Sequence, residues 1–144
     1  MPANQKPQSG WVSPVPAHLK FGEWGEDVAA DFLIKLGYEI LERRYRCSPI
    51  KGDLDLIARV EFEGRSFIVF VEVKTRRSKN VRVAEAAVHW AKRKTMIRMA
   101  RAYLRQLRRP TAWRYDVISV YPCREPGGEP MIEHMIEAFH EQAW

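Results

Sequence analysis

The 144-residue sequence has few of the features that mark membrane, secreted or metal-finger proteins. It contains no run of eighteen apolar residues, which excludes a transmembrane helix. Its two cysteines, Cys47 and Cys123, lie far apart and match no metal-binding spacing, so we expect reduced thiols in a cytoplasmic protein. There are no internal repeats. The histidines show no ligand spacing, and none is predicted to be catalytic; they are His18, His89, His134 and His140.

The N-terminal stretch is rich in proline and lacks the apolar core of a signal peptide. Residues 1–20 hold four of the nine prolines, so this stretch is predicted to be a flexible tail. Residues 21–144 are long enough for one domain with a single sizeable core. We therefore predict a single domain that follows a tail.

Basic residues are concentrated in the middle of the chain. Residues 43–114 contain twenty Lys or Arg against six Asp or Glu, a local net charge of +14, whereas the whole chain has a net charge of +6. A strongly basic region indicates a polyanionic partner, of which nucleic acid is the commonest. A solvated helix face that only aids solubility explains the charge equally well.

Hydrophobic periodicity predicts two helices and four strands in the order α-β-β-β-α-β. The first helix is predicted over residues 22–38, with Gly37 as its C-terminal stop, and a basic second helix over residues 84–109. Residues 131–144 fit either a strand or a short helix. This order predicts an α/β fold in which helices flank one mixed central sheet. The predicted strands are residues 38–46, 53–61, 66–75 and 113–122.

The stretch GDLDLIARVEFEGRSFIVFVEVKTRR (residues 52–77) has charged residues where a hairpin normally packs apolar ones. A two-residue turn at Glu63–Gly64 pairs Phe62 with Arg65. The same register collects the aliphatic side chains on one face and the charged side chains on the other. The pairs that it predicts farther along are Ala58–Val69, Leu56–Val71, Asp55–Glu72, Leu54–Val73 and Asp53–Lys74.

Adjacent carboxylates in this register need a compensating charge. Like charges that face each other destabilise a sheet, unless a cation offsets them or one carboxyl holds a raised pKa. Lys74 provides that cation in a structural ion-pair cluster. A divalent metal is the alternative, because Mg²⁺ binds few protein carboxylates, keeps waters and accepts phosphate oxygens. The residue types alone support the cluster and the metal site equally.

The ordered motifs resemble those of the PD-(D/E)XK, or restriction-endonuclease-like, nuclease superfamily. The pattern G-D-x-D-L-I-A followed by F-V-E-V-K carries the resemblance, together with GEWGEDVAADFLIKLGY, KRKTMIRMARAYL and WRYDVI, over about residues 22–120. The sequence is most similar to the YraN-like family of small bacterial proteins, which resemble archaeal Holliday junction resolvases. The resemblance implies a restriction-endonuclease-like α-β-β-β-α-β core, a single endonuclease-like domain over residues 21–144, and a phosphodiester hydrolase that uses Mg²⁺ or Mn²⁺.

The resemblance also implies a role for individual site residues. Asp55 would be the central metal-binding acid and Glu72 the second acid, with the Val73 carbonyl completing the metal sphere. Lys74 would act on the attacking water or on the phosphate. Glu26, in the first helix, would be a further acid near the metal. At Asp53 this chain departs from the family, which usually has Glu there, and the shorter side chain reaches less far.

Two basic clusters are candidates for contacts with nucleic-acid phosphates. One consists of Arg76 and Arg77, which follow the strand that carries Glu72. The other consists of Lys92, Arg93 and Lys94, near the start of the second helix, and the spacing of Lys92 fits the family. A solvated face explains any one of these residues equally well.

Three tryptophans and one charged pair have two explanations each. Trp24, Trp90 and Trp113 are suited to stacking on unpaired bases, although such residues are more often core or interface anchors. Arg114 and Asp116 alternate on a predicted strand and match the family. We predict that they form a structural ion pair, and a helper role at the site is the alternative.

The sequence therefore predicts a metal-dependent DNA endonuclease, and the resolvase resemblance implies branched or structured DNA as its substrate. A fold analogy does not fix a function, so two alternatives stay open. One is a non-catalytic nucleic-acid-binding module. The other is a subunit controlled by a protein partner that contacts the acidic C-terminal segment, residues 124–144. No membrane association is expected, and a homodimer is expected by analogy alone.

Overall fold

The computed structural model describes residues 20–77, 90–125 and 127–141. The predicted α-β-β-β-α-β order is confirmed, and the C-terminal segment that fitted two structures adds a fifth strand. Residues 1–19 of the predicted tail and residues 84–89 of the predicted second helix lie outside the described residues. The elements are α1 (Phe21–Lys35), β1 (Glu39–Tyr45), β2 (Leu54–Phe62), β3 (Arg65–Thr75), α2 (Trp90–Gln106), β4 (Ala112–Tyr121) and β5 (Met131–Phe139).

The five strands form one mixed sheet in the order β1-β2-β3-β4-β5. Strands β3 and β4 are parallel, and the other neighbouring pairs are antiparallel. A parallel pair needs a crossover connection, and the segment that contains α2 provides it. The predicted mixed α/β architecture is therefore confirmed. In the part of the chain that is described, no helix combines the length and the apolar character needed to cross a membrane.

A helix covers each face of the sheet. Alternate residues of β3 point to opposite faces, so this strand is buried on both sides. The core under α1 contains Trp24, Ala29, Ala30, Leu33, Leu56, Val69, Val71, Ile118 and Val120. The core under α2 contains Leu54, Ile57, Ile68, Phe70, Met96, Ile97, Met99, Ala100, Tyr115 and Phe139.

Helix α1 ends at Lys35, just before Gly37, the glycine that the sequence predicts as its stop. The amide of Gly37 donates to the Ile34 carbonyl and that of Tyr38 to the Leu33 carbonyl, each at 3.0 Å. This is the Schellman pattern, in which the residue after the helix takes a positive φ. Gly37 has φ 91°, which a residue without Cβ adopts at little cost. The turn directs the chain into β1.

The β2–β3 hairpin has the predicted two-residue turn. Glu63 and Gly64 have φ values of 50° and 75°, as a type I′ turn requires. The ladder runs in the predicted register from Phe62–Arg65 to Leu56–Val71. The predicted pairs beyond it, Leu54–Val73, Asp55–Glu72 and Asp53–Lys74, do not continue the ladder.

The expected division of the hairpin into an apolar face and a charged face is wrong at two points. Leu54 lies in the core under α2, whereas Leu56 lies in the core under α1. On the face expected to collect the charges, Ile57, Ile68 and Phe70 are buried. The reason is that α2 covers the middle of this face, so its charged side chains lie at the two ends of the hairpin, with Arg59 and Glu61 near the turn and Glu72 beyond Leu56–Val71.

Strand β5 makes the acidic C-terminal segment part of the fold. It pairs with β4 from Tyr121–Met131 to Tyr115–Phe139, and Phe139 is buried in the core under α2. Residues 126 and 142–144 of this segment lie outside the described residues. Deleting residues 124–144 would therefore remove a strand as well as any partner-binding surface.

Candidate active site

Asp55 lies where β2 and β3 stop pairing. Its Oδ2 accepts a hydrogen bond from the Val73 amide at 2.8 Å. The β2–β3 ladder ends at Leu56–Val71, so the Val73 amide lacks a partner from the ladder. The Asp55 carboxylate accepts its hydrogen bond and thereby satisfies this backbone donor. The hydrogen bond holds the side chain of Asp55 across the hairpin, toward the strand that carries Glu72.

The carboxyl group of Asp55 is strongly perturbed. Burial and the charge of Glu72 raise its pKa to about 8, with a smaller contribution from Glu26. The hydrogen bond from Val73 and the charge of Lys92 act in the opposite direction. Without a bound cation, Asp55 is therefore mostly protonated at neutral pH. The predicted electrostatic conflict between Asp55 and Glu72 is present in the folded chain.

Glu72 is only 5% exposed and lies between two lysines. Its Oε1 is 3.4 Å from the ammonium of Lys74, and its Oε2 is 3.4 Å from that of Lys92. The contact with Lys92 is an ion pair without hydrogen-bond alignment, so the buried Oε2 has no hydrogen-bond partner among the described residues. A buried carboxylate oxygen in that state is costly. A metal cation bound to Oε2 would satisfy this oxygen.

Glu26 and Asp53 lie at the margin of this site. The Oε2 atom of Glu26 accepts a hydrogen bond from Nε of Arg44 at 2.8 Å, and its charge still reaches Asp55. Asp53 contributes its backbone carbonyl, which accepts a hydrogen bond from Lys92 at 3.4 Å. The structure thus brings Asp55, Glu72 and Lys74 together, with Glu26 held by a β1 arginine that sequence reasoning did not identify.

Lys92 reaches the carboxylates, a position that sequence reasoning missed. The sequence places it among the phosphate contacts, but its ammonium lies between Oε2 of Glu72 and the Asp53 carbonyl. The first turn of α2 brings it over the end of the sheet. The signals in the sequence are its spacing, which fits the family, and its position near the start of a helix that must pack back onto the sheet.

The other candidate phosphate-binding residues are partly exposed and partly packed. Arg77 and Lys94 are exposed, and each lies over an aromatic ring, 4.6 Å and 3.8 Å from the ring centroid. Arg76 and Arg93 are half-buried, and the guanidinium of Arg93 lies 5.1 Å from the centroid of Phe139. Of these four, Arg77 and Lys94 are the most accessible to a partner.

A second charged cluster lies between β4 and β5. The fully buried Asp116 accepts hydrogen bonds from Nε of Arg114 at 3.0 Å and from the Glu137 amide at 3.1 Å. Nε2 of His134 lies 2.7 Å from its Oδ2, and Arg114 also donates to the Tyr38 hydroxyl at 2.6 Å. The predicted ion pair is confirmed. Both oxygens of Asp116 are satisfied, so this cluster supports the fold.

The donors around Asp55 fit a hard divalent cation that keeps most of its waters. Residues 20–77, 90–125 and 127–141 contain no group of three or more His, Cys, Asp or Glu that could hold a metal. Mg²⁺ does not require such a cage, because it is usually bound by one or two carboxylates, waters and substrate phosphates. Asp55 and the unbonded Oε2 of Glu72 match that donor set, and Mn²⁺ favours the same oxygen ligands.

Comparison with known proteins relates this chain to a bacterial family. The family model described as "Uncharacterised protein family UPF0102" matches residues 25–120, which include Glu26, Asp55, Glu72 and Lys74. A UPF0102 protein of Koribacter versatilis is 43% identical over 106 residues, 74% of this chain and 71% of that protein. A UPF0102 protein of Syntrophotalea carbinolica is 39% identical over 88% of this chain and 96% of its own length. One of Roseiflexus castenholzii is 39% identical over 85% of this chain and 94% of its own length. The expected membership of the YraN-like family is confirmed, and the chain belongs to UPF0102, the YraN family.

Proposed function

We propose that this protein is a metal-dependent endonuclease that hydrolyses backbone phosphodiesters of DNA, with branched or structured DNA as its preferred substrate. The observation that carries the proposal is the pairing of Asp55, whose pKa is raised to about 8, with a buried Glu72 oxygen that lacks a hydrogen bond. Two carboxyls held together in this way destabilise a fold. A site that takes up a cation accounts for them better than a structural ion pair does.

Asp55 and Glu72, with the Val73 carbonyl, would hold Mg²⁺ or Mn²⁺. A cation bound there would supply positive charge to a phosphate and lower the pKa of a coordinated water. Asp55 would then be ionised, and its hydrogen bond from the Val73 amide would keep the carboxylate oriented. Lys92, whose ammonium lies 3.4 Å from Oε2 of Glu72, would hold that carboxylate in place.

Lys74 would act on the phosphate or on the attacking water. Its half-buried ammonium lies 3.4 Å from Glu72 and carries three donors, which leaves donors for a substrate oxygen. A fixed cation at this point would stabilise negative charge that develops on the phosphate in the transition state. Hydrolysis would form a bond from the water oxygen to phosphorus and break the bond to the 3′ oxygen. The products would carry a 5′-phosphate and a 3′-hydroxyl.

The choice of DNA rests on charge and on resemblance. The net charge of +14 over residues 43–114 favours a polyanionic substrate. The similarity of the motifs to archaeal Holliday junction resolvases favours branched DNA over a plain duplex.

A cleavage assay tests the proposal. The purified protein would be incubated with labelled four-way junction, flap, single-stranded and duplex DNA, in Mg²⁺, Mn²⁺ or EDTA. Glu72→Gln and Lys74→Ala should each lower the rate by about a hundredfold or more, because each removes a group that contacts the cation or the phosphate. Glu61→Gln, an exposed change on the same hairpin, is the matched control and should cut at the wild-type rate. Cleavage that persists in EDTA or in Glu72→Gln would contradict the proposal.

A non-catalytic nucleic-acid-binding module is the second candidate, and one observation favours it. Lys74 and Lys92 already flank Glu72, so an ion-pair cluster neutralises part of its charge without a metal. This candidate predicts DNA binding without cleavage, with the same affinity in Mg²⁺ and in EDTA and in wild type and Glu72→Gln. Electrophoretic mobility shifts on the same substrates would separate the two candidates.

A further inference from the structure

We propose that the groove around Trp113, at the opposite end of α2 from the carboxylates, binds an unpaired nucleotide of a nucleic-acid strand. The inference deepens the proposed function, on which it rests for the identity of the ligand. It adds a recognition site for unpaired bases to the site of cleavage. Neither the family description nor the motifs assign a role to this groove.

The groove combines cations with one exposed aromatic ring. Its volume is about 360 Å³, within the range of about 300–1,000 Å³ typical of small-molecule sites. Trp113 is 43% exposed, whereas Trp24 is buried in the core. The charged and aromatic residues that line the groove are Arg101, Arg105, Arg109, Trp113 and Glu141. Arg105 and Arg109 have no ion-pair partner in the described part of the chain.

Glu141 anchors the groove and does not oppose an anionic ligand. Its Oε1 accepts a hydrogen bond from the Tyr115 hydroxyl at 2.6 Å, and its Oε2 accepts one from Arg101 at 2.8 Å. Burial alone would raise the pKa of Glu141, but hydrogen bonds from Arg101, Tyr115 and Trp113 outweigh burial and lower it. The carboxylate is therefore already paired.

A basic stripe runs along the exposed side of α2, from the groove toward the helix end that carries Lys92. Exposed cations recur at helical spacing, three or four residues apart, on one side of the helix; they are Lys94, Arg98, Arg101 and Arg105. The stripe covers the twelve residues 94–105, and the eleven steps between its ends give a length of about 16 Å. At 3.4 Å per nucleotide of one strand, that length corresponds to about five nucleotides. Lys92, at Glu72, marks the other end of the same helix.

The sheet places both ends of this path on one face. Trp113 pairs with Ile68 in the parallel β3–β4 ladder, and Ile68 belongs to the core under α2. Glu72 is four residues farther along β3, so its side chain points to the same face, about 13 Å away along the strand. The Trp113 groove and the carboxylates therefore lie toward opposite ends of the sheet face that α2 covers.

The exposed ring of Trp113 favours an unpaired base, rather than a duplex, as the ligand of the groove. Arginines alone bind phosphates of single and double strands alike. A base stacks on an aromatic side chain only when it has left the helical stack, and such stacking contributes about 1–3 kcal/mol per base. An exposed ring set among arginines in a concave surface is suited to that contact. Flap and single-stranded substrates offer such unpaired nucleotides, whereas a plain duplex does not.

Fluorescence anisotropy with labelled oligonucleotides in EDTA tests the inference, because no cleavage is needed. The probes are a short thymidylate single strand and a duplex of the same length. Trp113→Ala and Trp113→Leu remove the aromatic face, and leucine preserves apolar volume in case alanine destabilises the fold. Trp113→Phe retains an aromatic face. Phe62→Ala, which removes an exposed ring at the hairpin turn, is the matched control.

We expect Trp113→Leu and Trp113→Ala to weaken single-strand binding about tenfold, while duplex affinity changes less than about twofold. Trp113→Phe should restore most of the affinity, and Phe62→Ala should bind as wild type does. Unchanged single-strand binding in Trp113→Leu would overturn the inference, as would an equal loss for single strand and duplex. Because metal is absent, base binding at Trp113 can be refuted or supported whether or not the protein cuts DNA.

Discussion

Replacing Asp55 by asparagine should stabilise the metal-free protein at alkaline pH. In the folded chain, burial and the charge of Glu72 raise the pKa of Asp55 to about 8. In the unfolded chain the carboxyl titrates near its ordinary value of about 3.9. The folded state thus holds a proton that the unfolded state has released. The stabilisation from that proton is complete below the unfolded pKa and is lost as the pH rises through the folded one.

The size of the effect follows from the shift. Each pKa unit corresponds to about 1.4 kcal/mol, so the free energy of unfolding should fall by about 4 kcal/mol between about pH 5 and pH 8. That is a large share of the total stability of about 5–15 kcal/mol that a domain usually has. Asparagine has nearly the same shape, and its side-chain oxygen can still accept the hydrogen bond from the Val73 amide.

Urea unfolding in EDTA across this pH range measures the difference in free energy of unfolding between wild type and Asp55→Asn. Contributions from other titrating groups are the same in both proteins and cancel in this difference. We expect the difference to grow with pH in favour of the variant. Added Mg²⁺ should stabilise wild type at about pH 8 and leave Asp55→Asn nearly unchanged, because only the native carboxylate pair binds it. Parallel pH profiles for the two proteins would refute the reasoning, since Asp55 would then be ionised in the folded chain.

Three further changes test the packing around the site. Arg114→Met should lower the free energy of unfolding by about 3–5 kcal/mol, because the buried Asp116 loses its guanidinium; a loss near zero in urea unfolding would contradict its structural role. Gly25→Ala should lower the Tm, because an added Cβ would collide with the side chain of Thr75, and Thr75→Ala in the same chain should recover part of the loss. Met99→Ala should cost about 2–5 kcal/mol by leaving a cavity under α2, and a cost below about 1 kcal/mol would show that the site is not packed.

The hairpin shows how much of the site local sequence predicts. A turn at Glu63–Gly64 and an alternating pattern predict the register as far as Leu56–Val71, because a one-residue slip would move every side chain to the other face. The same pattern brings Asp55 and Glu72 to one end of the hairpin. It does not show that Asp55 captures the Val73 amide, because that bond depends on how the strands separate in three dimensions.

The features that the sequence leaves open depend on distant contacts. Residues 131–144 fit a strand or a short helix, because Ile132, Ile136 and Phe139 have the spacing of one face of a helix. What determines the strand is pairing with β4, together with the contact between His134 and the buried Asp116. Such contacts join residues about twenty positions apart and leave no local periodicity.

Contacts between elements far apart in the sequence also determine where Lys92 lies and which residue binds Glu26. Lys92 reaches Glu72 because the crossover returns α2 over the end of the sheet. Glu26 is held by Arg44, which lies on β1 with a positive φ of 49°. A sequence pattern describes one helix or strand at a time, whereas these contacts depend on how α1, α2 and the sheet pack together.

Metal binding tests the central claim most directly, because it separates a cation site from an ion-pair cluster before any substrate is chosen. Calorimetric titration of the metal-free protein with Mn²⁺ would compare wild type with Asp55→Asn, Glu72→Gln and Lys74→Ala. The account predicts one site in wild type, an affinity at least about tenfold lower in each carboxylate variant, and retained binding in Lys74→Ala. Absence of binding in wild type, or the same affinity in all four proteins, would contradict it.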